Sequence, residues 1–242
     1  LYDRCSKAMR REFEVYSPTI EKYSVDECFI DMTETMRLFG DPVETAHELK
    51  DKIKSKPGFT VNIGVAPNKL LAKMASDFEK PDRVHTLFYE EIPKKMWPLP
   101  VENLFFVGRA TRKKLYNLGI FTIGQLAQFD LELLKLHVGN KYGIMIHNYA
   151  NGIDDSRVEE EPPINKGYGN STTISHDVSD WTEGKKIILS LVENVAARLR
   201  QDRVKTNCIC LELKTSGFHT YSHQKTLKGA TDITNDIYQA AA

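Results

Sequence analysis

Cysteine, net charge, long apolar runs and a conventional beginning are all scarce in this chain of 242 residues. Its four cysteines, Cys5, Cys28, Cys208 and Cys210, are too few and too scattered for a disulfide framework. Cys208 and Cys210 alternate with Ile209 in a strand-like run and read as core thiols. No second Cys or His pair stands at ligand spacing beside them, which argues against zinc. No apolar stretch is long enough to span a bilayer, and no basic start leads into an apolar segment. Neither a membrane span nor a secretory signal is therefore read, and the chain reads as cytoplasmic. With 33 basic and 33 acidic residues the formal net charge is zero, so a wholesale basic surface for nucleic acid is not expected. The sequence opens at Leu1 without a methionine, already inside a helix-like pattern running to Glu14, as a fragment would.

What the chain does have is an ordinary globular balance, 41% hydrophobic and 27% charged, at a length that suits one large or a few small domains. Charge is segregated along it. Arg109, Arg112, Lys113 and Lys114 stand together without an acid, and between Arg198 and Lys228 seven basic residues face two acidic ones. Glu159, Glu160 and Glu161 form an acidic cluster between these regions.

The most informative stretch is Tyr23-Ser24-Val25-Asp26-Glu27-Cys28-Phe29-Ile30-Asp31-Met32-Thr33. Val25, Phe29 and Ile30 form a strand pattern that Asp26 and Glu27 interrupt. Two buried carboxylates in a row need a cation, an arginine or water. Adjacent strand residues face opposite ways, so Asp26 and Glu27 can share an ion only where the strand starts, bulges or ends. A magnesium ion carrying substrate phosphates fits such oxygen ligands, and so does an exposed turn whose acids are simply solvated.

Downstream, Asp41-Pro42 opens a helix with apolar residues at 43, 46, 49 and 53, and Pro57-Gly58 closes it. Phe59, Val61, Ile63 and Val65 alternate and predict a strand over 59–66. A helix is expected over 68–80, with Leu70, Leu71, Met74, Ala75 and Phe78 on one side and Lys69, Lys73 and Lys80 on the other. Lys69 and Lys73 read as a solvated face. After a brief strand over 84–87 and a proline-bounded connector containing Trp97, glycines at 108 and 119 punctuate short helices over 101–128. A further helical turn near 137–141 continues to Ala150. Residues 155–167, with Pro162-Pro163, make the best linker. Gly167 to Thr173 then predicts a strand, Trp181 to Gln201 a long helix, and 208–214 and 220–227 two more strands. His219 and His223 have helical metal-pair spacing but lie in strand-like sequence.

The Ser-x-Asp-Glu stretch resembles a motif of the Y-family, DinB/UmuC-like translesion DNA polymerases. Later segments match in the same order, including Gly64-Val65-Ala66-Pro67-Asn68-Lys69, Lys80-Pro81-Asp82 and Val107-Gly108-Arg109-Ala110-Thr111. The resemblance implies an α+β multidomain fold with four parts. These are a partial palm over 1–100, with a fingers-side helix at 1–14, a helix-hairpin-helix thumb over 101–154, a linker over 155–167, and an incomplete β-α-β-β little finger over 168–242.

The resemblance also implies that Asp26 and Glu27 are catalytic and hold two Mg2+ ions, and that Lys80 contacts the triphosphate of the incoming nucleotide. Gly108, Arg109, Thr111, Arg112 and Lys113 would meet DNA phosphates, and Ser171 and Thr172 would do so from the little finger. Primer-template DNA and deoxynucleoside triphosphates are the implied partners, with a sliding clamp for the full-length protein. The implied role is DNA repair of the SOS, translesion type. The family's further metal carboxylate and its ribonucleotide-excluding residue lie upstream of this motif and are not in this sequence, so the chain alone is expected to bind DNA but polymerise poorly. The alternative is a catalytically inactive DNA-binding module that works through the hairpins and little finger.

Overall fold

The structure is a computed structural model and describes residues 1–160 and 164–242. It divides into two compact units, Leu1–Pro162 and Pro163–Ala242. The division falls within the proline-containing stretch read as a linker, whose residues 161–163 lie outside the described residues.

The first unit opens with helix α1 (Tyr2–Phe13), followed by the hairpin strands β1 (Ile20–Lys22) and β2 (Cys28–Ile30). These pair antiparallel, Ile20 opposite Ile30 and Lys22 opposite Cys28. A short helix α2 (Met36–Phe39) leads to α3 (Pro42–Ser55), where the Asp41 carboxylate accepts from the N–H groups of Val43 and Glu44. An acidic cap followed by proline at the helix start is the arrangement that satisfies orphan donors at least conformational cost. Strand β3 (Ile63–Val65), helix α4 (Lys69–Ser76) and strand β4 (Val84–Thr86) form a parallel β-α-β unit. Its strand is shorter than the alternation over 59–66 predicts. Phe59 and Val61 do pack beside Tyr16, Leu49 and Ile53, so the alternation reports a buried face. Only 63–65 lie opposite β4 and gain a ladder.

Helix α4 is likewise shorter than expected. Asn68 caps it through the N–H of Leu71, and it ends at Ser76, leaving Lys80 beyond its last turn. Leu70, Leu71, Met74 and Ala75 are buried, each large side chain contributing about 1.5–3 kcal/mol.

The helical region follows: α5 (Ile92–Lys95), α6 (Arg109–Asn117), α7 (Ile123–Gln128), α8 (Leu131–Val138) and α9 (Asn140–Ala150). A single apolar core runs from α4 through Leu87, Met96 and Leu104 to Leu115, Ile123, Leu134 and Ile146. Trp97 ties it together. Its Nε1 donates to the Ala150 carbonyl at 3.0 Å, and a Cβ on Gly124 would come within 2.9 Å of the Trp97 Cβ.

In the second unit, α10 (Trp181–Gln201) buries Ile188, Val192, Ala196 and Leu199 against β5 (Thr206–Lys214), β6 (Thr220–Thr231) and α11 (Thr234–Ala241). The strands pair antiparallel. Two expectations need correction here. Residues 167–173 are not a strand: the segment has no regular secondary structure, is exposed apart from Tyr168, which packs on the core, and forms no ladder among the described residues. A β-forming composition makes a strand only where backbone partners lie alongside. Cys208 and Cys210 are exposed rather than core thiols, because they share the face of β5 opposite the buried Ile209. No helix among the described residues is long and apolar enough to cross a membrane.

The tightest backbone approach is at Gly64, where an added Cβ would overlap the carbonyl oxygen of Ala72 and reach 2.7 Å from the Ser76 nitrogen. Backbone cannot swing aside as a side chain can. Gly64→Ala is therefore expected to destabilise the first unit by about 2–3 kcal/mol. Urea unfolding followed through Trp97 would measure this, and an unchanged midpoint would show that β3 and α4 are not in contact.

Candidate functional site

The β1–β2 hairpin explains how adjacent carboxylates are tolerated. The N–H groups of Tyr23 and Ser24 both donate to the Glu27 carbonyl at 3.0 Å, so the chain reverses over residues 23–27. Asp26 and Glu27 fall in this turn, outside the ladder, which is one of the strand-end positions the sequence allows. The Ser24 hydroxyl donates to Asp26 Oδ1 at 2.7 Å. Beside them, burial pushes the Cys28 thiol up to about 12, leaving it an inert packing group.

Helix α4 supplies the counter-charges. Lys73 Nζ donates to Glu27 Oε1 at 2.6 Å and pairs with Asp77 Oδ2 at 3.0 Å. Lys80 Nζ pairs with the other Asp77 oxygen at 2.7 Å. One turn earlier, Lys69 bonds Glu21 Oε2 at 2.6 Å and lies 5.1 Å from the centre of the Phe29 ring. The side chains of Lys69 and Lys73 are only 16% and 14% exposed, so they are not the solvated face expected. Lys80, at 59% exposed, does reach solvent. Asp26, Glu27, Lys73 and Lys80 all line one open cleft of about 1410 Å³ in the first unit.

Sequence reasoning missed Lys73 and Asp77 as the link between the carboxylates and Lys80. The i, i+4 spacing of Lys73 and Asp77 and the i, i+3 spacing of Asp77 and Lys80 were the available signals.

The cleft is also strapped by the segment after α9. Asp154 Oδ2 accepts from the Leu70 N–H at 3.1 Å, Lys69 donates to the Arg157 carbonyl at 3.1 Å, and the Glu159 N–H donates to Glu21 at 2.9 Å. The start of the stretch read as linker is thus bonded to the first unit.

The donor set is of the kind a hard divalent cation takes. Two neighbouring carboxylates in an open turn are oxygen ligands of the type magnesium and manganese take. Among the described residues no cluster of three or more His, Cys, Asp or Glu side chains could hold a metal ion, so protein ligands would fill only part of a coordination sphere. That suits an ion shared with substrate phosphates.

On the helical region, Gly108 caps α6 without any side-chain acceptor at the first N–H groups, and nothing lies within 4 Å of where its Cβ would stand. Arg109 and Lys113 are exposed, and Thr111 and Arg112 partly so. Arg112 leans over Tyr116 at 6.0 Å and lies 3.7 Å from Glu102. In the second unit, Ser171 and Thr172 are exposed in the segment before α10, at a hollow shared with Ile187, Ser190 and Asn194 of α10.

A β-α-β layer with a carboxylate turn is joined here to a helical-hairpin module through one apolar core. Comparison with known proteins identifies the family. The model of the impB/mucB/samB family matches residues 1–77, that of its C-terminal domain matches 165–242, and a DNA polymerase-iota thumb-domain model matches 102–154. DNA polymerase IV of Clostridium acetobutylicum is 44% identical over 236 residues, covering 98% of this chain and 59% of that protein. DNA polymerase IV of Acetivibrio thermocellus is 38% identical over 244 residues, covering 100% of this chain and 61% of its own length. A solved Y-family DNA polymerase chimera shares the fold at TM-score 0.80 and 22% identity, over 99% of this chain and 68% of that one. The chain belongs to the impB/mucB/samB family, the DinB-like Y-family DNA polymerases, and spans about three-fifths of the length of these curated relatives.

The ion-pair chain gives a pH signature. Burial alone would raise the Asp77 carboxyl, but its bonds to Lys80 and Lys73 win and hold it below the usual range. Burial alone would lower the Lys73 ammonium, but Glu27 and Asp77 hold it above its usual value. The Asp77 contribution to stability is therefore present above the unfolded carboxyl value, about 4, and lost as pH falls through the depressed one. The Lys73 contribution is present below about 10.4 and lost as pH rises through the elevated value. Urea midpoints should be flat near neutrality and fall at both ends, with Asp77→Asn giving a shallower acid arm. Lys73→Met should cost about 1–2 kcal/mol at pH 7, between exposed and buried pairs. An Asp77→Asn acid arm identical to wild type would refute the linkage.

Proposed function

We propose that this chain forms the catalytic turn, thumb and little finger of a translesion DNA polymerase, which joins deoxynucleotides to a primer opposite damaged template bases. The observation that carries the reading is the presence in one cleft of the Asp26–Glu27 turn and Lys80, linked through Lys73 and Asp77. Asp26 and Glu27 would hold two Mg2+ ions, which supply charge neutralisation at the reacting phosphate and activation of the primer hydroxyl. Lys80 is free enough to turn from Asp77 to the triphosphate, where an ammonium is a point charge for phosphate oxygens. Lys73 keeps Glu27 oriented toward the cleft.

The open turn at Gly108, with Arg109, Thr111, Arg112 and Lys113, would take DNA phosphates on backbone N–H groups and basic side chains. Such contacts read no sequence, as copying any template requires. Ser171 and Thr172 would add hydroxyl contacts from the little finger. The domain division at 100, 154 and 167, a sliding-clamp partner and an SOS setting belong to the same proposal for the longer protein.

Primer extension tests it, using a protein that carries this chain with the family's upstream palm strand. Magnesium-dependent extension is expected. Asp26→Ala or Glu27→Ala should each lower kcat at least about 1000-fold, since each removes part of the charge stabilisation of the transition state. EDTA should abolish extension and excess magnesium restore it. Lys80→Ala should act mainly on the nucleotide KM. DNA binding without extension, indifferent to Asp26 and Glu27, would instead establish a non-catalytic DNA-binding module.

A further inference from the structure

Immediately before the open turn at Gly108 the chain holds a residue where its backbone does not favour one. The Val107 N–H donates to the Leu104 carbonyl at 2.9 Å, closing a four-residue turn, and Phe106 occupies its third position with φ +70°. A positive φ at the third position of a β-turn asks for glycine, because a Cβ there crowds the following carbonyl. The aromatic ring does not compensate by entering the core: Phe106 is 55% exposed, while Leu104 and Val107 on either side are buried. The conformation is held from outside. Tyr142 Oη donates to the Phe106 carbonyl at 2.7 Å, and the ring is backed by Phe105 at 4.4 Å and Tyr149 at 6.3 Å. The result is a propped aromatic surface beside a basic turn.

We infer that Phe106 is a DNA-contact residue, its exposed ring packing against the deoxyribose or base face of the nucleotide next to the phosphate held at Gly108. The inference rests on the reading of that turn as a phosphate site. Continuity decides the occupant: the ring is two residues from Gly108, with Arg109, Arg112 and Lys113 following, so a partner seated on it would be polyanionic with flat apolar faces. Strain and exposure together mark side chains kept for contact. Stacking is largely indifferent to salt, whereas phosphate contacts release counterions.

The two contributions separate in one experiment: fluorescence anisotropy of a labelled primed duplex titrated with the whole chain at several salt concentrations. Phe106→Gly suits the backbone and removes only the ring. It should weaken binding at least about five-fold, in line with base–aromatic stacking, with the salt slope unchanged and the urea midpoint no lower. Phe106→Tyr should restore affinity. Arg112→Ala should instead reduce the salt slope. Unchanged affinity in Phe106→Gly, alongside weakened binding in Arg112→Ala and Lys113→Ala, would overturn the role of the ring and leave the phosphate turn standing. Weakened binding accompanied by a lower unfolding midpoint would overturn it too, making Phe106 a structural residue. If none of the three substitutions changed affinity, the phosphate turn itself would fall, and this inference with it.

Discussion

The rotation of α4 about its own axis is the constraint on which the candidate site depends. Leu70, Leu71, Met74 and Ala75 are buried in the large core of the first unit, and a helix anchored along one face has no freedom to turn. Its other edge is then fixed, with Lys69 over Glu21 and Lys73 over Glu27, both from a hairpin more than forty residues earlier. Hydrophobic burial, which has no directionality of its own, is thereby converted into the placement of two ammonium groups. They set cations against the like charges of Glu21, Glu27 and Asp77, while Asp26 stays exposed in the turn.

The same core explains why the palm-like layer and the helical hairpins behave as one body. Packing runs across the proline-bounded connector at 93–100. Trp97 reaches Ala150, Gly124 lies against Trp97, and Asn68 donates to the Gly152 carbonyl at 2.9 Å. An aromatic run adds a second connection, from Phe29 and Tyr23 beside the carboxylate turn to Phe105 and Phe106 beside Gly108. A movement of the helical hairpins would thus be felt at the turn that carries Asp26 and Glu27.

Legibility in the sequence followed the range of the interaction. Helix α10 was readable to its ends, because 21 residues of apolar periodicity and an Asp180 cap are local signals. The turn at Gly108 and the position of Asp26 and Glu27 at a strand end were readable for the same reason. The strand expected over 167–173 was not, because composition reports a tolerance for extended backbone and says nothing of whether a partner lies alongside. Cys208 and Cys210 were misplaced because alternation identifies two faces without saying which is covered. Lys69 and Lys73 were placed on the correct side of their helix. That side was misread as solvent because Glu21 and Glu27 arrive from elsewhere in the chain, and pairings at such separation leave no local trace.

The neutral net charge sharpens the question of how this chain would hold a polyanion. A uniformly basic protein can rely on counterion release over a broad surface, but here 33 positive charges meet 33 negative ones and many of the lysines near the cleft are already paired. Attraction must come from local excesses such as 109–114 and from groups that carry no net charge: backbone N–H donors at Gly108, hydroxyls, and aromatic faces. A grip of that composition would fade less steeply with salt than one of lysines alone. At the acidic turn the positive charge is a single bonded ammonium, Lys73 on Glu27, and Asp26 is left exposed to solvent beside it.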